Sequence, residues 1–366
     1  MKQPIDLDLL TEKLKNSSKE LGFDRLAICE ASVRFDEKDY LHWIGKNFNG
    51  SMKYLERNIG MRLEPRQIRP STNSIICVTA NYLTNSISKM DAKLKDKKKG
   101  YISVYALGKD YHKIIRKRLV KLSKILEKEI KPSGYRVFSD SAPIYEKPLA
   151  QKSGLGWIGK NTLLINKEVG SFFFLGEIFT DLKLPVTPSE TENLCGTCTN
   201  CLNICPTNAI VEPYKLDSRK CISYLTIESK EKIPIELRDK IGNRIFGCDD
   251  CQIYCPWNKY AKVEDINIFS SPIELDSKNL KEMFLFSEIE FKRLTEGSPI
   301  RRINYEQWLR NLAIAIGNSK PDDELLNVLK KRLYDVSDLV REHIEWAIKK
   351  QCGKIEIKDK NINNKN

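Results

Sequence analysis

Cys195, Cys198, Cys201 and Cys205 are followed by Pro206, a C-x2-C-x2-C-x3-C-P run. Three closely spaced thiolates of such a run reach three irons of one four-iron, four-sulfur cubane, and the fourth, beyond a tight turn ending in proline, reaches a second cluster. Cys248, Cys251 and Cys255 with Pro256 repeat the pattern without its first member, and Cys221, between the blocks, can replace it. By the crossed rule Cys195, Cys198, Cys201 and Cys255 hold one cubane, and Cys205, Cys221, Cys248 and Cys251 hold the other. A zinc site needs four ligands in all and neither this third spacing nor the proline. The chain is thus expected to carry two [4Fe-4S] clusters and to move electrons. Cys29 and Cys77 lie in apolar runs and read as core residues.

Around this segment stand 366 residues, 41% hydrophobic and 30% charged, enough for two or three domains of a globular protein. Met1 to Leu21 carries acids and lysines throughout and reads as no signal peptide. No apolar run approaches the roughly 18 residues of a membrane span. A reducing, cytoplasmic compartment is expected, where eleven cysteines argue for ligation rather than disulfides. The net charge is +13, and residues 91–136 hold 15 Lys and Arg against 5 Asp and Glu. Such a stretch is either a solvated helix face or a patch that neutralises nucleic-acid phosphates.

The elements that must position the cysteines read as α+β. Spacing predicts helices over 6–21 and 111–130, the latter with Ile115, Leu119, Leu122 and Leu126 on one face. Short β-branched runs predict strands at 25–29, 74–80, 101–106, 135–138 and 172–179. The six lysines of 87–99 read as a loop, and 264–300 as irregular. Helical spacing returns at 305–316, 322–334 and 337–350, as in a small HEAT-like pair. The expected domains are an N-terminal α/β domain (1–188), a bacterial-ferredoxin-like two-cluster module (189–265), a connector with HEAT-like helices (266–352) and a tail (353–366).

A two-cluster module has no need of the residues before it, so something there should accept electrons. The glycine-rich stretch Gly154-Leu-Gly-Trp-Ile-Gly-Lys-Asn161 matches neither nucleotide-binding pattern, although its free amides could cradle a polar cofactor. Together with Gly108-Lys-Asp-Tyr-His112, Asp140-Ser-Ala-Pro143, Gly170-Ser171, Leu175-Gly-Glu177, Cys221-Ile-Ser-Tyr-Leu-Thr226, Ile241-Gly-Asn-Arg244 and both cysteine blocks, it resembles the epoxyqueuosine reductases over most of the chain. That resemblance implies an oxidoreductase performing the last step of queuosine biosynthesis: an epoxide on a cyclopentane ring, at the wobble position of a tRNA anticodon, becomes an alkene. It implies a base-off cobalamin reduced through the two clusters, in keeping with only three histidines, His42, His112 and His343. It assigns cobalamin contacts to Arg62, Ser103, Lys160, Asn161, Leu175 and Ser223, and the proton donor to Asp140. By residue type alone Asp140, before Ser-Ala-Pro, reads as a helix N-cap; as a donor it needs a raised pKa.

The expected partners are the tRNA and an external flavodoxin- or ferredoxin-type electron donor, with no membrane and a monomeric chain. Lys113, Arg116, Lys117 and Arg118, with Tyr101 and Tyr105, are candidates for the tRNA stem-loop, which Arg301, Arg302 and Arg310 could extend. The alternatives are a corrinoid reductive dehalogenase, of which the usual twin-arginine signal is missing, and a non-catalytic iron–sulfur carrier.

Overall fold

A four-stranded sheet forms the N-terminal part, in the order Arg25–Glu30, Ser74–Asn81, Phe173–Thr180, Tyr135–Phe138. The computed structural model describes residues 6–129, 134–188, 192–263, 269 and 274–353. Every pairing in this sheet is antiparallel, so the mixture of helix and strand is of the α+β kind and not built from parallel crossovers. The strand Ser74–Asn81 is buried along nearly its whole length because both faces are covered. Ile76 and Val78 point to the layer holding the helices Leu7–Glu20 and Tyr111–Glu129. Ile75 and Cys77, one residue out of step, meet Leu149 and Ala150 of the helix Glu146–Lys152 on the other face. Cys29 and Cys77 are fully buried here, as core residues.

The long helix follows its sequence pattern: Ile115, Leu119, Leu122 and Leu126 are fully buried against the sheet. It sits close because residue 176 of the facing strand is glycine; a Cβ there would meet Ile115 Cγ2 at 2.9 Å and Leu119 Cδ1 at 3.0 Å.

The cysteine segment consists of short helices, Asn200–Ile204 and Asp250–Ile253 among them, and the hairpin Ile210–Glu212 with Lys215–Leu216. Its strand Arg244–Phe246 pairs in parallel with Tyr101–Ile102, which ties it to the N-terminal part. The helices Tyr305–Gly317, Asp323–Arg332 and Asp338–Gln351 share one core with Ile222, Leu225, Ile245 and Phe246.

Three expectations need correction. Residues 87–99 are no loop, since 87–95 form a helix capped by the Ser86 hydroxyl and anchored by buried Met90. The strand expected over 101–106 ends at Ile102, because the Asp249 carboxylate captures the Val104 amide at 2.9 Å and turns the chain. The region called irregular contains the helices Leu280–Leu285 and Glu288–Leu294, each opened by a capping box; its residues 264–268 and 270–273, and the tail beyond Gly353, lie outside the described residues.

Candidate functional site

Cys195, Cys198, Cys201 and Cys255 line one cavity of about 240 Å³ with Lys160, Asn161 and Trp257. Burial, then the neighbouring Cys255, Cys195 and Cys198, push the Cys201 thiol up to about 11. Cys251 is likewise raised by burial and then by Cys221 and Cys205. The structure thus brings Cys195, Cys198, Cys201 and Cys255 together and sets Cys205 and Cys221 near Cys251, while Cys248 stands beside Asp250, 2.8 Å from its Oδ2. Among the described residues no His, Cys, Asp or Glu set closes around a single metal ion. Burial and mutual repulsion favour the neutral thiols here, and binding iron would require each ligand to give up its proton.

The first group is the more open, with Cys198 exposed. Its loop is braced by Lys160, whose Nζ donates to the carbonyls of Gly196 at 2.6 Å and Cys198 at 2.9 Å. Trp157 Nε1 donates to Cys195 Sγ at 3.4 Å, the kind of contact that tunes a cluster's potential. In the second group Cys221 caps the helix Ile222–Ile227, and the amides of Ser223 and Tyr224 partly offset the rise that burial imposes on its thiol.

Asp140 follows the strand Tyr135–Phe138 in a left-handed conformation, φ 56°. The next helix starts only at Glu146 and takes no side-chain cap, so the N-cap reading of Asp140 fails. Its side chain is 56% exposed and accepts hydrogen bonds from two neighbours on the long helix. Tyr111 donates its hydroxyl to Oδ2, and His112 Nε2 lies 3.3 Å from the same oxygen. The other imidazole nitrogen is 2.8 Å from Asp110 Oδ1. Tyr111 is fixed by stacking on Phe174, centroids 3.9 Å apart and planes within 7°.

The charges around Asp140 differ from expectation. Burial raises its pKa, but the hydrogen bonds from His112 and Tyr111 prevail and hold it below the ordinary carboxyl value. For His112 burial lowers the pKa, and the bonds with Asp140 and Asp110 overcome it, leaving the imidazole above its ordinary value. The raised carboxyl lies beside Asp140: burial, then the Asp140 charge, push Glu146 up to about 7.

The remaining candidates spread over these two centres. Arg62 donates to the Tyr54 carbonyl at 3.2 Å, while its buried Nε has no partner among the described residues. Ser103 is buried and bonded to Asp249, which also accepts from Tyr101 at 2.8 Å. Asn161 donates to the Cys251 carbonyl at 3.3 Å. Leu175 lies in the central strand and accepts the Ser139 hydroxyl on its carbonyl. Ser223 opens the helix capped by Cys221.

Of the nucleic-acid candidates, Lys113, Arg116, Lys117, Arg301 and Arg302 are exposed, the last paired with Glu228 at 3.0 Å. Arg118 donates to the Leu21 carbonyl. Tyr101 and Arg310 are fully buried and cannot meet RNA: Arg310 is spent on the carbonyls of Leu225, Ser229 and Glu231. Tyr105 packs between Tyr111 and Phe246. Sequence reasoning missed Tyr111, Glu146 and Glu177 as parts of the Asp140 site. Tyr111 and Glu177 stood in quoted motifs, but which face of helix or strand they occupy was not readable.

A family model described as a 4Fe-4S double cluster binding domain matches residues 194–258, and one described as epoxyqueuosine reductase QueG matches residues 62–141. The epoxyqueuosine reductase of Pseudomonas aeruginosa is 47% identical over 95% of this chain and 96% of its own length; that of Escherichia coli is 46% identical over 96% and 92%. A solved epoxyqueuosine reductase in complex with an epoxyqueuosine-modified tRNA-Tyr stem loop superposes with a TM-score of 0.83 at 29% identity, covering 94% of this chain and 91% of that one. A Bacillus subtilis epoxyqueuosine reductase, solved with its aspartate-bearing catalytic loop swung out of the active site, superposes with a TM-score of 0.81 at 29% identity and the same coverage.

Proposed function

The chain belongs to the epoxyqueuosine reductase family, and from that membership we propose that it reduces the epoxide of epoxyqueuosine to the alkene of queuosine at the wobble position of a tRNA anticodon. The observation that carries this is the near full-length match to reductases of that name, in a chain whose eight paired-block cysteines answer the need for electrons. The reaction consumes two electrons and two protons and releases water. The cysteines already grouped would hold two [4Fe-4S] clusters, which would supply one-electron chemistry when bound. A flavodoxin- or ferredoxin-type protein is the proposed donor.

Cobalamin is the group that would receive those electrons, and bound there it supplies a cobalt centre that can be brought to a strongly reducing state. Arg62 fits such a ligand, because its buried Nε has no protein acceptor and can meet a phosphate or amide oxygen. Ser103, Asn161, Leu175 and Ser223 complete the proposed contacts. Lys160 is proposed with them, although its ammonium is engaged on the cluster loop. The proteins thus compared act on tRNA, and the proposed setting is the cytoplasm, with the chain a monomer; no helix among the described residues is long and apolar enough to cross a membrane.

Asp140 is the proposed proton donor to the epoxide oxygen; the Bacillus subtilis relative also carries an aspartate on its catalytic loop. A departing alkoxide is a poor leaving group unless a proton reaches it in step. At rest the proton is stored next door: His112 is favoured as the imidazolium and Tyr111 keeps its hydroxyl proton, both aimed at Oδ2 of Asp140. Substrate oxygen beside that carboxyl then draws the proton through it. An Asp140→Asn variant, assayed anaerobically by nucleoside analysis of epoxyqueuosine tRNA, should keep about eight irons per chain and bound cobalamin but make no queuosine. Full turnover by that variant removes the assignment. A wild type that dechlorinates a phenol and ignores the tRNA would support the dehalogenase reading instead.

A further inference from the structure

The fold leaves one acid without a visible partner. Glu177 is fully buried in the strand Phe173–Thr180, and neither carboxyl oxygen receives a hydrogen bond from any donor among the described residues. A lone buried carboxylate is costly to ionise and is neutralised instead of tolerated. Its neighbour is another acid, Glu146, at the first turn of the helix covering that face of the sheet. Glu146 in turn accepts the backbone amide of Asp140 on Oε1 at 2.5 Å. Two facing carboxyl groups satisfy each other only when they hold a proton between them.

Asp140 is a residue that needs holding. The left-handed region is a sparsely populated conformation for an aspartate, and such positions persist when their surroundings over-determine them. Ser139 ties the loop to the Leu175 carbonyl at 3.1 Å, and the Glu146 carboxyl ties the next amide. We propose that Glu146 and Glu177 form a proton-sharing latch: Glu177, as the neutral acid, donates to Glu146, and Glu146 clamps the Asp140 amide so that its carboxyl meets Tyr111 and His112. Glu146 and Glu177 are positioning residues, and the proposal rests on reading Asp140 as the proton donor.

The groups that set the latch's charge are few. Asp140, Glu177 and Lys147 face Glu146; Glu146, Asp140 and the thiols of Cys29 and Cys77 face Glu177. Tyr111 and His112 act on the pair through Asp140. The Lys147 ammonium donates to the Thr162 carbonyl at 2.8 Å and offsets part of the negative charge. Burial, then the Glu146 charge, raises Glu177 well above its ordinary value, and since Glu146 already accepts the Asp140 amide while Glu177 has no donor of its own, the proton is assigned to Glu177. Glu146 titrates at about 7, and as it ionises its hold on the Asp140 amide strengthens.

The test uses the reconstituted holoenzyme with Glu146→Gln, Glu146→Leu and Glu177→Gln. Amide exchange by mass spectrometry across residues 138–145 should quicken in Glu146→Leu and stay near wild type in Glu146→Gln, which keeps the acceptor oxygen. On epoxyqueuosine tRNA, Glu146→Leu should lose about tenfold to hundredfold in kcat, with KM changed by no more than about twofold. In wild type this latch makes kcat rise with pH through about 7; Glu146→Gln should lose that limb. Infrared difference spectra at neutral pH should show a protonated-acid carbonyl band that Glu177→Gln removes. Unchanged exchange in Glu146→Leu, or no such band, overturns the latch whatever the catalytic result. An active Asp140→Asn enzyme overturns the proton-donor reading instead and leaves the exchange and infrared results to judge the latch.

Discussion

A single buried acid shows how much of this site is decided one residue at a time. Glu177 shares a strand face with Leu175 and Phe179 and alternates with Gly176 and Ile178, and only the pleat determines that it points into the sheet–helix interface, where water cannot reach it. Its effect on stability follows from proton linkage. Glu146 has a folded pKa of about 7 against an ordinary 4.5. A raised acid contributes stability that is complete below its unfolded pKa and lost as pH rises through the folded one. Urea midpoints of wild type should therefore fall between about pH 4.5 and 7, and Glu177→Gln should flatten that fall because its amide donates to Glu146 without titrating. A parallel fall in both proteins would mean that the pair does not share a proton. The cysteine blocks, by contrast, stood out in the sequence because their spacing is local, and the double-cluster family model falls on the same stretch, residues 194–258. Asp140 was named from motif likeness, but its low pKa was not foreseeable: Tyr111 and His112 come from a helix that begins 29 residues before Asp140 in the chain.

At the scale of elements, patterning carried most of the fold, and the failures have physical causes. The six lysines of 87–99 hid a short helix whose apolar side is little more than Ile87, Met90 and Leu94. Lys93 shows how: its stem crosses the apolar surface and its ammonium pairs with Asp276. The strand at Tyr101–Ile102 stops early because of a carboxylate 148 residues away, a non-local cause that no window of sequence contains. One element contact also positions the chemistry. The helix Tyr111–Glu129 lies flush on the strand Phe173–Thr180 because Gly176 offers no side chain, and the first two residues of that helix are the partners of Asp140. Gly176→Val would force Ile115 and Leu119 outward, at a cost of about 1–3 kcal/mol. Lower urea midpoints with iron content unchanged and a fall in turnover beyond the loss of folded protein are the expected result. Turnover per folded molecule equal to wild type would show that the helix start is held independently of its seat on the sheet.

The proposed reaction requires electrons and a polyanion at one centre, and the exposed cations of one helix are the candidates for meeting the polyanion. The excess of +13 is concentrated in 91–136, where Lys113, Arg116 and Lys117 remain exposed along one helix while Ile115, Leu119 and Leu122 on the other side are buried. The helix that presents these cations also begins with Tyr111 and His112, so a stem-loop held by its phosphates along the helix would be brought toward Asp140 by the same element. Phosphate contacts release counterions, and log affinity then falls linearly with log salt. Binding of an epoxyqueuosine stem-loop should weaken steeply between low and physiological salt. Lys117→Gln should reduce the slope by about one, weakening all sequences alike and sparing kcat at saturating tRNA. Buried Arg310, although equally basic, is tied to three backbone carbonyls, and its replacement should lower stability and leave the salt slope alone. If affinity proves flat in salt, or the slope responds to Arg310 and not to Lys117, this helix is a solvated face and the tRNA docks elsewhere.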